Sequence, residues 1–455
     1  MDDRPIDSAS LLARLDADAI EHFWVAYHDY GGRAQAKTLP RESFRSAVND
    51  GVVFAMANLN MAADDHQSIG ATLLADSGDF LAVPDPRSYA VLPRFPGTAR
   101  CHAWMRASDG SVWEGCPRTR LAAAIDELRD LSYSAQVALE PEFYLLRAFE
   151  LAENGTDYAP VNSTRMFSQA GLATERVFVE HVVDELRAMG VTVAQLGKEY
   201  GPGQYEMSVR HAHPIRAVDD YFSLKDTVRD LAREPGYVAT FMPKPYSHWP
   251  GCSLHVHLSL WDAAGERDLT ASDRDEVSLS EVGSWFLGGI LEHADALTGL
   301  GSPTVNSYKR LQPGSWAPAN TYWGYGNRSG VVRIPGVGKR RHLEFRSPDN
   351  SAQPYLLLAG LLGAGADGIR RQLVPPPPFQ GDIGHLTLEE VERHGIGYLP
   401  RSLPEALAAL ERDEVVAAAV GETALKHFLI VKRHELAMYE THVHPWERET
   451  YLEIV

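Results

Sequence analysis

Cysteine is scarce in this chain of 455 residues, which has three: Cys101, Cys116 and Cys252. None is spaced as a CxxC pair, which excludes a zinc ribbon or a dithiol redox motif. So sparse and odd a set is expected as the reduced thiols of a cytoplasmic protein. Positive charge is short as well. Against 61 Asp and Glu stand 43 Lys and Arg, a formal net charge of −18, which lacks the cation clusters that nonspecific nucleic-acid binding requires. The most apolar stretch, 355–365, is too short to cross a bilayer. The opening MDDRPIDSASLLARL carries acids where a signal peptide needs an apolar run. We therefore expect a soluble cytoplasmic protein with neither nucleic acid nor membrane as partner. No GxxxxGK(S/T) segment occurs, so a P-loop enzyme is excluded.

What is present describes an ordinary globular chain, 44% hydrophobic and 23% charged, long enough for more than one domain. Residues 1–113 read as a small α+β domain dominated by short strands, with a helix at 8–19 and strands at 21–30 and beyond the Gly31-Gly32 turn. From 114 to 455 helices alternate with strands. Helical periodicity marks 118–131, 174–189, 215–233, 279–297 and 354–372, and strands are expected at 137–146, 191–195, 204–210, 238–242 and 253–260. A polar loop is expected at 153–164. Four prolines at 375–378 mark a connector before a helical C-terminal third.

Several segments carry chemistry. Glu140 and Glu142 lie two apart in an apolar run, so a strand presents both carboxylates on one face. A solvated strand edge is one reading; a bound cation is the other, since like charges so placed are costly when nothing neutralises them. Glu199 and Glu206 flank the turn YGPGQY, and His255 and His257 repeat the two-residue spacing with Ser259 continuing that face. From 306 to 349 the chain reads NSYKRLQPGSWAPAN, NRSGVVRIP and KRRHLEFRSPD, grouping Arg310, Arg328, Arg333 and Arg346 about one acid, Glu344. Glu344 and Arg346 alone read as an ion pair. Four arginines together read as a surface that holds several anionic groups, because the planar guanidinium suits carboxylate and phosphate. Five glutamates with one or two histidines form an oxygen-rich set that favours Mg²⁺ or Mn²⁺ over zinc. Two such ions beside arginines suit phosphoryl transfer from ATP.

These segments resemble the glutamine synthetase family over nearly the whole chain, in the family's order: EPEFYLL (140–146), EYGPGQYE (199–206), LHVHLSL (254–260), NSYKRLQPG (306–314), NRSGVVRIP (327–335) and EFRSPD (344–349). The resemblance implies an α+β fold with an N-terminal β-grasp domain (1–113) and a catalytic domain (114–455) with a curved antiparallel sheet. It also implies two stacked hexameric rings. It assigns Glu142, Glu199 and Glu206 to one divalent ion and Glu140, His255 and Glu344 to another, with two or three Mg²⁺ or Mn²⁺ in all. Arg310 and Arg346, with Gly251 and His255, resemble the positions around the bound glutamate. Arg328 resembles the arginine facing the transferred phosphoryl group, and Arg328, Glu344 and Arg310 take the catalytic roles. Arg333, Lys339, His257 and Ser259 match the ATP side. The implied reaction phosphorylates the γ-carboxylate of glutamate, after which an amine displaces phosphate.

The departures bear on the nitrogen donor. Ammonia-using members carry a glutamate between Pro-Gly and Ala-Pro, where this chain reads PGSWAP and places Trp316. The family's DGSS has no match; FAMANLN puts Ala55 where its acid falls. Pro250-Gly251 replaces Asn-Gly, and His342 replaces an arginine. A primary amine larger than ammonia is therefore the expected co-substrate, with authentic glutamine synthesis and a non-catalytic metabolite-binding homologue as the alternatives.

Overall fold

Alternating apolar side chains shape the first hundred residues into strands. In β1 (His22–His28), Phe23, Val25 and Tyr27 point into the core. The computed structural model describes residues 8–151, 155–381 and 383–455. β1 runs antiparallel to β2 (Ala34–Pro40) and parallel to β6 (Thr98–Ala107). β3 (Val52–Ala55) and β4 (Asp79–Pro84) extend the sheet beyond β6, and the short β5 (Ala90–Val91) also pairs with β6. The order is β2-β1-β6-β4-β3, and the helices Ser8–Ala17 and Phe44–Asp50 accompany it.

The second sheet has nine strands. Its spine is β7 (Tyr133–Leu151), longer at both ends than the sequence indicates. β8 (Gly155–Pro160), β9 (Val193–Lys198), β10 (Gln204–Val209), β11 (Tyr237–Thr240) and β12 (Leu254–Asp262) follow in the chain. β13 (Asn320–Thr321) pairs apart from this sheet with β17 (Gly397–Tyr398), while β14 (Trp323–Tyr325), β15 (Val332–Ile334) and β16 (Leu343–Phe345) complete the sheet. The order is β14-β15-β16-β12-β7-β10-β9, with β8 and β11 both paired to β7.

Two expectations are corrected here. The expected loop at 153–164 contains a strand, 155–160: β8 folds back on β7 from Leu151↔Gly155 to Leu146↔Pro160, and residues 152–154 lie outside the described residues. The single helix at 279–297 is two, Glu281–Glu292 and Ala294–Gly301, broken at His293, whose φ of −101° leaves the helical range.

The helix Pro354–Arg371 is apolar around its circumference and correspondingly buried along almost its whole length. It packs against Glu281–Glu292, Pro117–Asp130 and Glu414–Val420. One continuous apolar core joins it to β1, β4 and β6 of the first sheet. Arg118 stitches the same junction. It is buried and held by Asp85 and Asp219, and it donates to the Tyr355 hydroxyl at 2.8 Å. The turn between β1 and β2 rests on the segment entering Pro354–Arg371: Gln353 Nε2 donates to Asp29 O at 2.8 Å. Gly32 has φ +70° there, and a Cβ on it would lie 2.6 Å from Ala352 O.

Candidate active site

Strand register assembles the acids. On β7 and β12, His255 lies opposite Glu140; on β12 and β16, His257 lies opposite Glu344; on β15 and β16, Arg333 lies opposite Glu344; on β7 and β10, Glu206 lies opposite Glu142. Directly opposed residues place their Cβ atoms about 5 Å apart, so five neighbouring strands deliver one row of ionisable side chains.

The contacts follow. Glu140 Oε1 lies 3.2 Å from His255 Nδ1, and Ser208 Oγ donates to Glu140 Oε2 at 2.8 Å. His257 Nε2 is 3.5 Å from Glu140 Oε2, and His255 Nδ1 is 3.7 Å from Glu344 Oε1. Glu142 Oε2 accepts from Ser253 N at 2.9 Å and Gln204 Nε2 at 3.2 Å. Glu199 Oε2 accepts from Tyr200 N at 3.0 Å. Two groups each bring a donor atom from every member within 4.8 Å of the others: Glu140 with Glu206 and His255, and Glu140 with His257 and Glu344. Glu206 thus groups with Glu140 and His255, and His257, expected on the ATP side, groups with Glu140 and Glu344.

The electrostatics divide this row. Burial disfavours the Glu344 carboxylate, yet Arg346, His255, His257 and Arg333 outweigh it and hold the group down at about 2. Burial also works against Glu140, but the His255 and His257 imidazoles beside it keep it well below the carboxylate range. Toward β10 compensation is weaker, and Lys198 beside Glu199 does not offset burial and the neighbouring carboxylates. Burial, then Glu142, pushes Glu199 up to about 7; burial, then Glu140, Glu142 and Glu199, pushes Glu206 up to about 9. Crowded oxygens short of positive charge fit a hard divalent cation. The buried Nε2 of His257, without a hydrogen-bond partner among the described residues, adds a nitrogen donor.

Of the four arginines expected around Glu344, two touch it. Arg333 Nη1 donates to Oε2 at 2.6 Å, and Arg346 Nη1 pairs with Oε1. Arg310 sits one layer behind, with Nη1 on Ser347 O (2.7 Å) and Nη2 on Arg346 O (3.0 Å). Gly251 makes room for it, since a Cβ there would lie 2.6 Å from Arg310 Cγ. Arg328 is exposed and lines a cavity of about 330 Å³ with Trp316, Tyr325, Gly326, Asn327, Ser329, Gln380 and Gly381. Trp316 is 66% exposed. Lys339 is exposed and pairs with Asp273, and Ser259 Oγ accepts from the Trp261 indole at 2.8 Å.

Other supports escaped the sequence reading. Ser208 follows Glu206 at the strand period, a signal that was available. Asn350 Nδ2 donates to Glu142 O (3.0 Å) and Ser253 O (2.8 Å), clamping β7 to β12; nothing in its local sequence announces this.

Residues 114–451 match the family described as glutamine synthetase, catalytic domain. The chain belongs to the glutamine synthetase family. It is 34% identical over 447 residues to a glutamate–methylamine ligase of Methyloversatilis universalis, covering 96% of this chain and 98% of that protein. It is 37% identical over 453 residues to a glutamine synthetase of Mycobacterium tuberculosis, covering 98% of each. A solved structure of a GmaS/ADP complex superposes with a TM-score of 0.85 at 31% identity, over 97% of this chain and 99% of that one.

Proposed function

We propose that this member of the glutamine synthetase family uses ATP to join the γ-carboxylate of glutamate to a primary amine larger than ammonia. The observation that carries the reading is the clustering of Glu140 with Glu206 and His255 and of Glu140 with His257 and Glu344, in a chain whose Trp316 lines a cavity together with Arg328. Glu142, Glu199 and Glu206 on one side, and Glu140, His255 and Glu344 on the other, would hold Mg²⁺ or Mn²⁺, with His257 reinforcing the second group. Bound there, the ions would neutralise phosphate oxygens and favour transfer of the terminal phosphoryl group.

Arg328, exposed beside Trp316, would meet the transferred phosphoryl group, a role it takes from the family resemblance. Arg310 and Arg346 form the carboxylate-holding side, Arg310 through its effect on the 346–347 backbone that it binds. The γ-carboxylate oxygen attacks the terminal phosphorus of ATP and ADP departs. The amine nitrogen then attacks the acyl carbon, and the carbon–oxygen bond to phosphate breaks as nitrogen loses a proton. Trp316 offers a π face to an alkylammonium or an apolar substituent and carries no carboxylate to attract ammonium. Similarity to a glutamate–methylamine ligase supports a small alkylamine. Stacked hexameric rings are the proposed assembly.

Similarity to a glutamine synthetase at 37% identity favours a second reading, ammonia as donor. Phosphate release from ATP, glutamate and Mg²⁺ or Mn²⁺ across a panel of amines decides between them. At least one organic amine is expected to outpace ammonia, and an ammonia rate matching the best amine overturns the proposal. Trp316→Glu is expected to raise the ammonia rate about tenfold, equivalent to ~1.4 kcal/mol of barrier.

A further inference from the structure

We infer that His342 is a positioning residue: it sets the tautomer of His257 and so aims the Nε2 lone pair of His257 at a divalent cation shared with Glu140 and Glu344. The inference rests on the cation-dependent reading above. It starts from a carbonyl. His342 Nδ1 lies 2.9 Å from Arg340 O, and a carbonyl oxygen only accepts, so Nδ1 carries the hydrogen. In the neutral ring Nε2 is then the acceptor. It lies 2.9 Å from His257 Nδ1, which must therefore be the donor. The hydrogen of His257 is fixed on Nδ1, and Nε2 keeps its lone pair.

That nitrogen is buried, has no hydrogen-bond partner among the described residues, and stands 3.5 Å from Glu140 Oε2. Strand pairing sets His257 opposite Glu344, and Glu140, His257 and Glu344 place donor atoms within 4.8 Å of one another. A lone pair facing carboxylate oxygens is satisfied by a cation between them. Metal-bound histidines generally owe their orientation to whatever binds the other ring nitrogen. Here a second histidine does so, fixed in turn by the backbone. An arginine at 342, which the sequence resemblance leads one to expect, has no acceptor atom and is unable to play this part.

Mn²⁺ is the probe, titrated into the full-length protein without nucleotide or glutamate and followed by calorimetry and by electron paramagnetic resonance of the free ion. His342→Leu and His342→Arg remove the acceptor and are expected to weaken one class of Mn²⁺ site about 10- to 100-fold while leaving the rest in place. His342→Gln keeps an acceptor oxygen and is expected to remain near wild type. Equal affinity in all three variants, or a Gln variant as weak as the Leu variant, overturns the assignment. Should His342→Leu fail to fold, the Gln and Arg variants decide. Solid-state ¹⁵N spectra of histidine-labelled wild type need no variant: hydrogen on His257 Nδ1 is expected, and hydrogen on Nε2 alone refutes it. Wild-type protein that binds no Mn²⁺ defeats the proposed function itself, a result separable from the variants merely matching wild type.

Discussion

Glu206 shares its surroundings with three other carboxylates, and burial together with Glu140, Glu142 and Glu199 pushes it up to about 9. A carboxyl raised in the folded state adds stability below its ordinary value, near 4.3, and that stability is lost as pH rises through the folded value. Near pH 7.5 without divalent ions, Glu206 thus works against the fold. Glu206→Gln is expected to raise the ion-free melting temperature by about 2 °C and to shrink the increase that Mn²⁺ produces in wild type. Scanning calorimetry with and without Mn²⁺ checks this, and a variant less stable than wild type in chelator contradicts it. At this scale much was legible. The two-residue spacings of Glu140 with Glu142 and of His255 with His257 survive intact, because a strand's alternation is fixed by backbone geometry. The arginines were legible as a class but not by position: Arg333 and Arg346 reach Glu344, whereas Arg310 and Arg328 do not. Proximity in sequence does not say on which side of a turn a long side chain emerges.

His293 shows what periodicity misses at the level of an element. The apolar pattern of 279–297 continues across it, so one helix is expected. The ring instead bridges Asp413 Oδ2 at 2.7 Å and Asp367 Oδ2 at 3.1 Å, with Arg371 Nη1 on that same Asp367 oxygen at 2.8 Å. The chain bends where this bridge forms, tying the 281–292 and 294–301 helices to Pro354–Arg371 and to the start of Glu414–Val420. Burial disfavours the imidazolium, but its hydrogen bonds to Asp413 and Asp367 prevail and raise its pKa above the ordinary value. The bridge therefore contributes fully below about pH 6.5 and fades as pH climbs through the raised folded value. His293→Gln is expected to flatten the fall in melting temperature across that window. An unchanged pH profile in the variant contradicts the assignment. β8 was missed for a different reason. Its Gly, Asp and Pro residues are strand-poor and outweigh Thr156 and Tyr158 in the pattern, and it becomes a strand by pairing along β7.

Across the whole molecule, the first sheet and the helical layers share one core, and Arg118 is a buried charged link between them. Its guanidinium reaches Asp85 after β4, Asp219 in Pro214–Arg233 and Tyr355 in Pro354–Arg371, and it lies 4.7 Å from the Trp104 ring on β6. Removing one partner of a buried ion network strands the others, at a cost of roughly 3–5 kcal/mol. Arg118→Met is expected to lower the urea midpoint accordingly, read by tryptophan fluorescence, and a loss below about 1 kcal/mol contradicts this. The apolar patterning made an α+β class legible, while the seam escaped notice because its members lie far apart in the chain. The rest of that seam reaches further than stability. Ala352, against which Gly32 presses, is two residues from Asn350, whose amide clasps the backbones beneath Glu142 and Ser253. The glycine turn is in effect a remote adjusting screw: a methyl group added at Gly32 would meet Ala352 O at 2.6 Å, and is expected to strain the strap through which Asn350 holds Glu142 and Ser253 together.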